Sequence, residues 1–131
     1  MNNINELLQF IENSPSPFHA VETISDRLDN AGFTRLYEQD DWKLEKGKGY
    51  YVCRNYSSVL AFRVPMEGLP SFNIVASHCD SPTFKIKENP QITTGPYITL
   101  NTERYGGMIM STWMDRPLSV AGRLIVREGS T

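Results

Sequence analysis

Residues 76–82 read Ala-Ser-His-Cys-Asp-Ser-Pro, between the apolar run Phe72-Asn73-Ile74-Val75 and the alternating run Thr83-Phe84-Lys85-Ile86-Lys87. A short apolar run closed by a turn reads as a strand that delivers its last residues to a loop. Side chains alternate between the faces of a strand, so His78 and Asp80 fall on one side and Cys79 on the other. A neutral imidazole can give one nitrogen to a metal while a carboxylate holds the other ring N–H, which fixes the tautomer and raises the basicity of the ligand. His78 is thus a candidate metal ligand and Asp80 the candidate carboxylate that orients it. The alternation also disfavours a Cys79–His78 nucleophilic pair, whose side chains would point apart. A catalytic zinc needs three or more protein ligands, so a surface or satisfied buried His78 stays open as the other reading. His19, with only Glu22 close behind it, reads as structural.

N-terminal to this stretch the period is helical. Ile4, Leu7, Leu8 and Ile11 recur at helix spacing and predict a helix over residues 3–13, stopped by Ser14-Pro15-Ser16-Pro17. Ser16 is a good N-cap and Pro17 a good first helical residue, which predicts a second helix over residues 17–31. Its buried stripe is Val21, Ile24, Leu28 and Ala31, and Gly32 stands where a left-handed cap belongs. From residue 42 onward the pattern alternates, and strands are expected at 49–55, 58–64, 72–78, 83–88, 97–102 and 121–127. The Asn55–Ser58 turn joins the first two as a hairpin. Two helices and six strands leave nothing to cover the second face of a central sheet, so the chain reads as the opening third of a larger α/β enzyme, seen here as α+β. Its last residues, Arg127 to Thr131, follow a strand-like run directly, as in a piece of a longer chain.

The bulk numbers exclude several classes. At 131 residues one modest core is expected, and 40% hydrophobic with 21% charged residues is ordinary for a soluble globular chain rather than a disordered one. A net charge of -2 leaves no electrostatic footprint for nucleic acid or for an anionic membrane. The start, MNNINELLQF, has neither the basic nor the long apolar region of a secretory signal, and a cytoplasmic location is expected. Cys53 and Cys79 are then thiols rather than a disulfide. Tyr105-Gly106-Gly107 lacks the spacing of a phosphate loop, and Ser14, Ser16 and Ser81 sit beside prolines as capping serines do. Met108, Met110, Trp113 and Met114 read as core or subunit interface, and Asp115-Arg116 as an internal ion pair in preference to part of a site.

Three segments then combine. SPSPFHAV at 14–21, SHCDSP at 77–82 followed by FKIK, and YGGMIMSTWMDRPLSVAGRLIV at 105–126 resemble, in this order and at these separations, the aspartyl aminopeptidase family of zinc metallopeptidases. The resemblance implies a cytosolic exopeptidase with two zinc ions in an α/β catalytic domain, a β-rich domain inserted into it, and assembly into large homo-oligomers, often dodecamers. It implies that His78 ligates one zinc and that Asp80 stands behind it, and that the bridging aspartate, the general-base glutamate and the remaining ligands lie beyond residue 131. Residues 1–104 would belong to the catalytic domain and 105–131 to the start of the inserted one. The substrate would be a peptide with an acidic N-terminal residue. Departures from the family pattern are Cys79 for a usual threonine, Met110 and Met114 for aromatic residues, and Pro117 for an acidic one. The rival reading is a free-standing β-rich binding or assembly module whose Met/Trp cluster is its interaction surface.

Overall fold

The computed structural model describes residues 3–68, 71–127 and 129. The chain divides into two compact units, Met1–Cys79 with Ala121–Thr131, and Asp80–Val120.

In the first unit, helices α1 (Asn3–Glu12) and α2 (Pro17–Asn30) precede strands β1 (Thr34–Leu36), β2 (Gly49–Arg54) and β3 (Ser58–Arg63). The start of α2 follows the capping chemistry expected. Ser16 is extended at φ -144°, its Oγ accepts the His19 backbone N–H at 3.5 Å, and Pro17 occupies the first turn. The far end closes with Gly32 at φ +77°, where the Gly32 N–H reaches the Asp29 carbonyl at 3.0 Å and the Phe33 N–H the Leu28 carbonyl at 3.0 Å. That double bond is the Schellman arrangement, which satisfies carbonyls a helix end otherwise leaves open. Helix α1 is held to α2 by Arg27, which donates to the Glu6 carbonyl at 3.2 Å and lies 5.0 Å over the Phe10 ring.

The sheet has the order β1-β2-β3, with β1 parallel and β3 antiparallel to β2. The hairpin turn carries Asn55 at φ +52° and Tyr56 at φ +55°, and the Ser57 N–H closes it on the Arg54 carbonyl at 3.1 Å. Left-handed geometry at both central residues matches the right-handed twist of the strands it joins. The buried side chains among the described residues are Ala20, Val21 and Ser25 of α2 and Tyr50 and Tyr51 of β2, whose neighbouring rings point to opposite faces of the sheet. The Tyr51 hydroxyl donates to Asp29 Oδ1 at 2.8 Å, and the Tyr50 hydroxyl accepts the Glu45 N–H at 2.8 Å.

The second unit is a long antiparallel hairpin of β4 (Thr83–Thr94) and β5 (Tyr97–Tyr105), followed by a single 3₁₀ turn at Met110–Trp113. The ladder runs regularly from Thr94↔Tyr97 to Gln91↔Leu100, shifts between Gln91 and Ile86, and resumes from Ile86↔Thr102 to Thr83↔Tyr105. Pro90, which has no N–H to offer a ladder, falls within the shift. Trp113 packs edge-on against Phe84, with ring centroids 5.5 Å apart.

Both helices end within a residue of expectation, and the 49–55 and 58–64 strands form the hairpin foreseen. The β4 and β5 strands run past the 83–88 and 97–102 expected, and β1 was not foreseen. Two expectations are corrected. Residues 72–78 and 121–127 form no strand: Val75 is 99% exposed and Leu124 90%. A strand exists only through a neighbour that takes its N–H and C=O groups, and among the described residues neither run has one. Asp115 and Arg116 do not pair either, since Arg116 turns to the Thr112 carbonyl at 3.3 Å.

Burial first, and then the hydrogen bond to Asp29, push the Tyr51 phenol from 10.0 up to about 12. Because the folded chain holds this proton more tightly than the unfolded one, the stabilisation is complete below pH 10 and lost as pH rises toward 12. Urea unfolding should therefore show the wild type losing roughly 2–3 kcal/mol more than Tyr51→Phe over that interval. Parallel pH profiles for the two proteins would contradict it.

Candidate metal-ligand segment

The segment that carries His78 and Asp80 belongs to no regular element, so the alternation argument that set them on one face of a strand does not apply. Its physical content is replaced by a different constraint, at the root of the β4–β5 hairpin. Asp80 lies three residues before the first β4 residue, and Tyr105 is the last residue of β5, paired with Thr83. The Tyr105 hydroxyl donates to Asp80 Oδ2 at 2.6 Å, the short length of an O–H bond to a charged oxygen. This bond, and after it the negative charge of Asp80, raises the phenol above its ordinary value, so Tyr105 keeps its proton and acts as donor across the neutral range.

Gly106 completes the arrangement. It takes φ +73°, and a Cβ built there would stand 3.4 Å from the Pro82 Cα. The chain past Tyr105 therefore packs at ordinary contact distance on Pro82, and it is the left-handed φ that favours a residue without a side chain. His78 itself is exposed, and Cys79 and Asp80 are half-buried. Cys53 and Cys79 are free thiols, as expected.

His19 has the structural role expected of it. Its Nδ1 lies 2.7 Å from Ser16 Oγ, the oxygen that also accepts the His19 backbone N–H. A groove of about 430 Å³ beside α2 is lined by Phe18, Glu22, Asp26, Arg35, Cys53 and Arg123 among others, and holds neither His78 nor Asp80. Arg123 anchors its segment there, 4.3 Å over the Phe18 ring and donating to the Asn55 carbonyl at 2.8 Å.

Among the described residues no three His, Cys, Asp or Glu side chains come together to hold a metal ion. By donor type a histidine nitrogen and a carboxylate suit zinc, and by number these two fall short of the three or more ligands that a zinc site needs. Tyr105 was missed by sequence reasoning, which saw in it only the start of a glycine pair. The signal that finds it is the hairpin register.

The family model for the aminopeptidase I zinc metalloproteases, M18, matches residues 10–131. The chain belongs to this M18 family. A probable M18 family aminopeptidase 2 of Clostridium novyi is 51% identical over 126 residues, covering 94% of this chain and 29% of the relative. A probable aspartyl aminopeptidase of Ricinus communis is 41% identical over 125 residues, covering 94% and 26%. In the cryo-EM structure of an Ape4 and Nbr1 complex, the matching chain has a TM-score of 0.80 and 40% identity over 85% of this chain and 22% of its own. The mApe1 dodecamer of Saccharomyces cerevisiae gives 0.71 and 27%, over 88% and 28%. The M18 chain described here thus spans under a third of the length of these relatives.

Gly106→Ala puts a side chain on a left-handed residue and should lower stability by about 1–2 kcal/mol through backbone strain. Melting that matches the wild type would mean that the turn relaxes out of the left-handed region at no cost.

Proposed function

We propose that the whole protein is a zinc-dependent aminopeptidase, that His78 ligates one of two zinc ions, and that Asp80 holds the imidazole behind it. The observation that carries this reading is the M18 match over residues 10–131, which includes the His78-Cys79-Asp80 stretch. The donor chemistry supports it: a neutral imidazole suits zinc, and a carboxylate two residues away suits the N–H that the metal leaves unused. Bound zinc supplies Lewis acidity toward the scissile carbonyl and toward water. The chain's own part is narrower. His78 contributes one nitrogen, Asp80 keeps its tautomer, and the remaining ligands and the general base come from beyond residue 131.

The substrate we propose is a peptide with an acidic N-terminal residue, supported by the aspartyl aminopeptidase among the relatives. Met110, Met114 and Pro117 differ from the aspartyl pattern, and an assay should cover neutral residues as well. Assembly as a homo-oligomer is supported by the dodecameric mApe1. A cytoplasmic location is our reading from the free thiols; among the described residues no helix is long and apolar enough to cross a membrane. The inserted domain we place from residue 105 onward, after a catalytic part over 1–104.

In the full-length protein His78→Ala should remove at least one zinc and abolish turnover. Asp80→Asn keeps the shape but loses the charge, and zinc affinity or rate should fall about 10–100-fold. Elemental analysis beside kcat/KM for aspartyl, glutamyl and leucyl substrates decides it, and two zinc ions with normal turnover in His78→Ala would sink the reading. The 131-residue chain on its own should be inactive on the same substrates with metal added, since it brings too few ligands and no general base. Turnover that persists through purification would contradict this.

A further inference from the structure

The proposed function uses His78 and Asp80 and leaves unexplained why a half-exposed tyrosine from the far end of a hairpin should bond the same carboxylate. Tyr105 is 42% exposed, and a phenol so placed could be solvated by water at little cost. Instead it is held twice. Its backbone closes the β4–β5 ladder opposite Thr83, and the next residue, Gly106, turns at φ +73° against Pro82. These restraints fix the ring beside the segment that leads out of Asp80.

A carboxylate turns about its last bond in a broad, two-fold well, so a single partner leaves its plane poorly defined. A second donor at one oxygen removes that freedom. Ionised carboxylates accept at several lone pairs, so the bond from Tyr105 to Oδ2 leaves acceptor sites for an imidazole N–H. We propose that Tyr105 is a positioning residue of the zinc centre: by holding Asp80 Oδ2 from the root of the β4–β5 hairpin, it sets the plane in which Asp80 receives the His78 ring. The proposal rests on the reading of His78 and Asp80 given above. It adds that the metal ligand is aligned through a residue 25 positions beyond its orienter, by a hairpin that contributes no ligand itself.

The test uses the full-length protein and the variants His78→Ala, Asp80→Asn, Tyr105→Phe and Asp80→Asn with Tyr105→Phe. Zinc affinity is read by competition with a chromogenic chelator, kcat and KM on an aspartyl substrate, and the melting of the zinc-free protein as a control on folding. Tyr105→Phe removes one oxygen from a partly exposed ring, so the fold is not at stake. Acting one bond further from the metal than Asp80, it should weaken zinc binding and lower kcat by about 3–10-fold, the low end for groups behind a ligand. KM and zinc-free melting should stay as in the wild type. In the Asp80→Asn background the same change should add almost nothing, because it works through the carboxylate.

Wild-type zinc affinity and kcat in Tyr105→Phe, with zinc lost in His78→Ala, would overturn the role of Tyr105 and leave the ligand assignment standing. An equal loss in both backgrounds would overturn it as well, since Tyr105 would then act by another route. A loss of melting temperature with unchanged zinc affinity would make the bond a structural staple of the hairpin. Zinc fully retained in His78→Ala would remove the ligand assignment itself, and this proposal with it.

Discussion

Tyr51 joins the helical and β parts of the larger unit, and much of that unit depends on where its two ends go. The ring is 1% exposed beneath α2, next to Val21 at 2%, while the hydroxyl must find a partner because a buried phenol without one is costly. Asp29, in the last turn of α2, is that partner. The bond can form only if α2 reaches Asp29 and then stops, which Ser16 at one end and the Gly32 turn at the other ensure. Helix length, strand placement and the burial of one ring are thus a single condition. β2 carries this ring between two strands that pair with it on opposite edges, so the condition extends across the sheet.

The helices were legible in the sequence because a helix is local: its hydrogen bonds join residues four apart, and its stripe, cap and breaker lie within a few turns. The β2–β3 hairpin was legible for the same reason, its turn being short. Residues 72–78 and 121–127 have the composition of strands, yet among the described residues neither joins a ladder, and composition says nothing of ladders. β1 escaped notice from the opposite side. Its three residues are too few for any periodicity, and pairing with Tyr50, Tyr51 and Val52 makes them a strand.

The same division runs through the candidate site. The reading of His78 and Asp80 as a pair rests on sequence spacing alone, two positions apart. Tyr105 could not be read that way, since its approach to Asp80 depends on the register of a hairpin. Near the turn, paired positions sum to 191, as in 94 + 97, and at the root to 188, as in 83 + 105. Continued at the first register, Thr83 would have faced Met108. Three additional residues on the β4 side, around Pro90, bring Tyr105 there instead, and nothing in the local sequence announces how the ladder resumes.

Exposed irregularities in a hairpin are ordinarily where chains lengthen and shorten without penalty, and by exposure alone residues 87–90 would qualify. Here the number of residues in the irregularity is a gauge. Shortening it by one would slide the root of β4 along β5 and offer Asp80 a charged or empty neighbour, Arg104 or Gly106, in place of the phenol. A change of length at this exposed spot would therefore move the partner of Asp80, whereas a substitution there would leave the register alone.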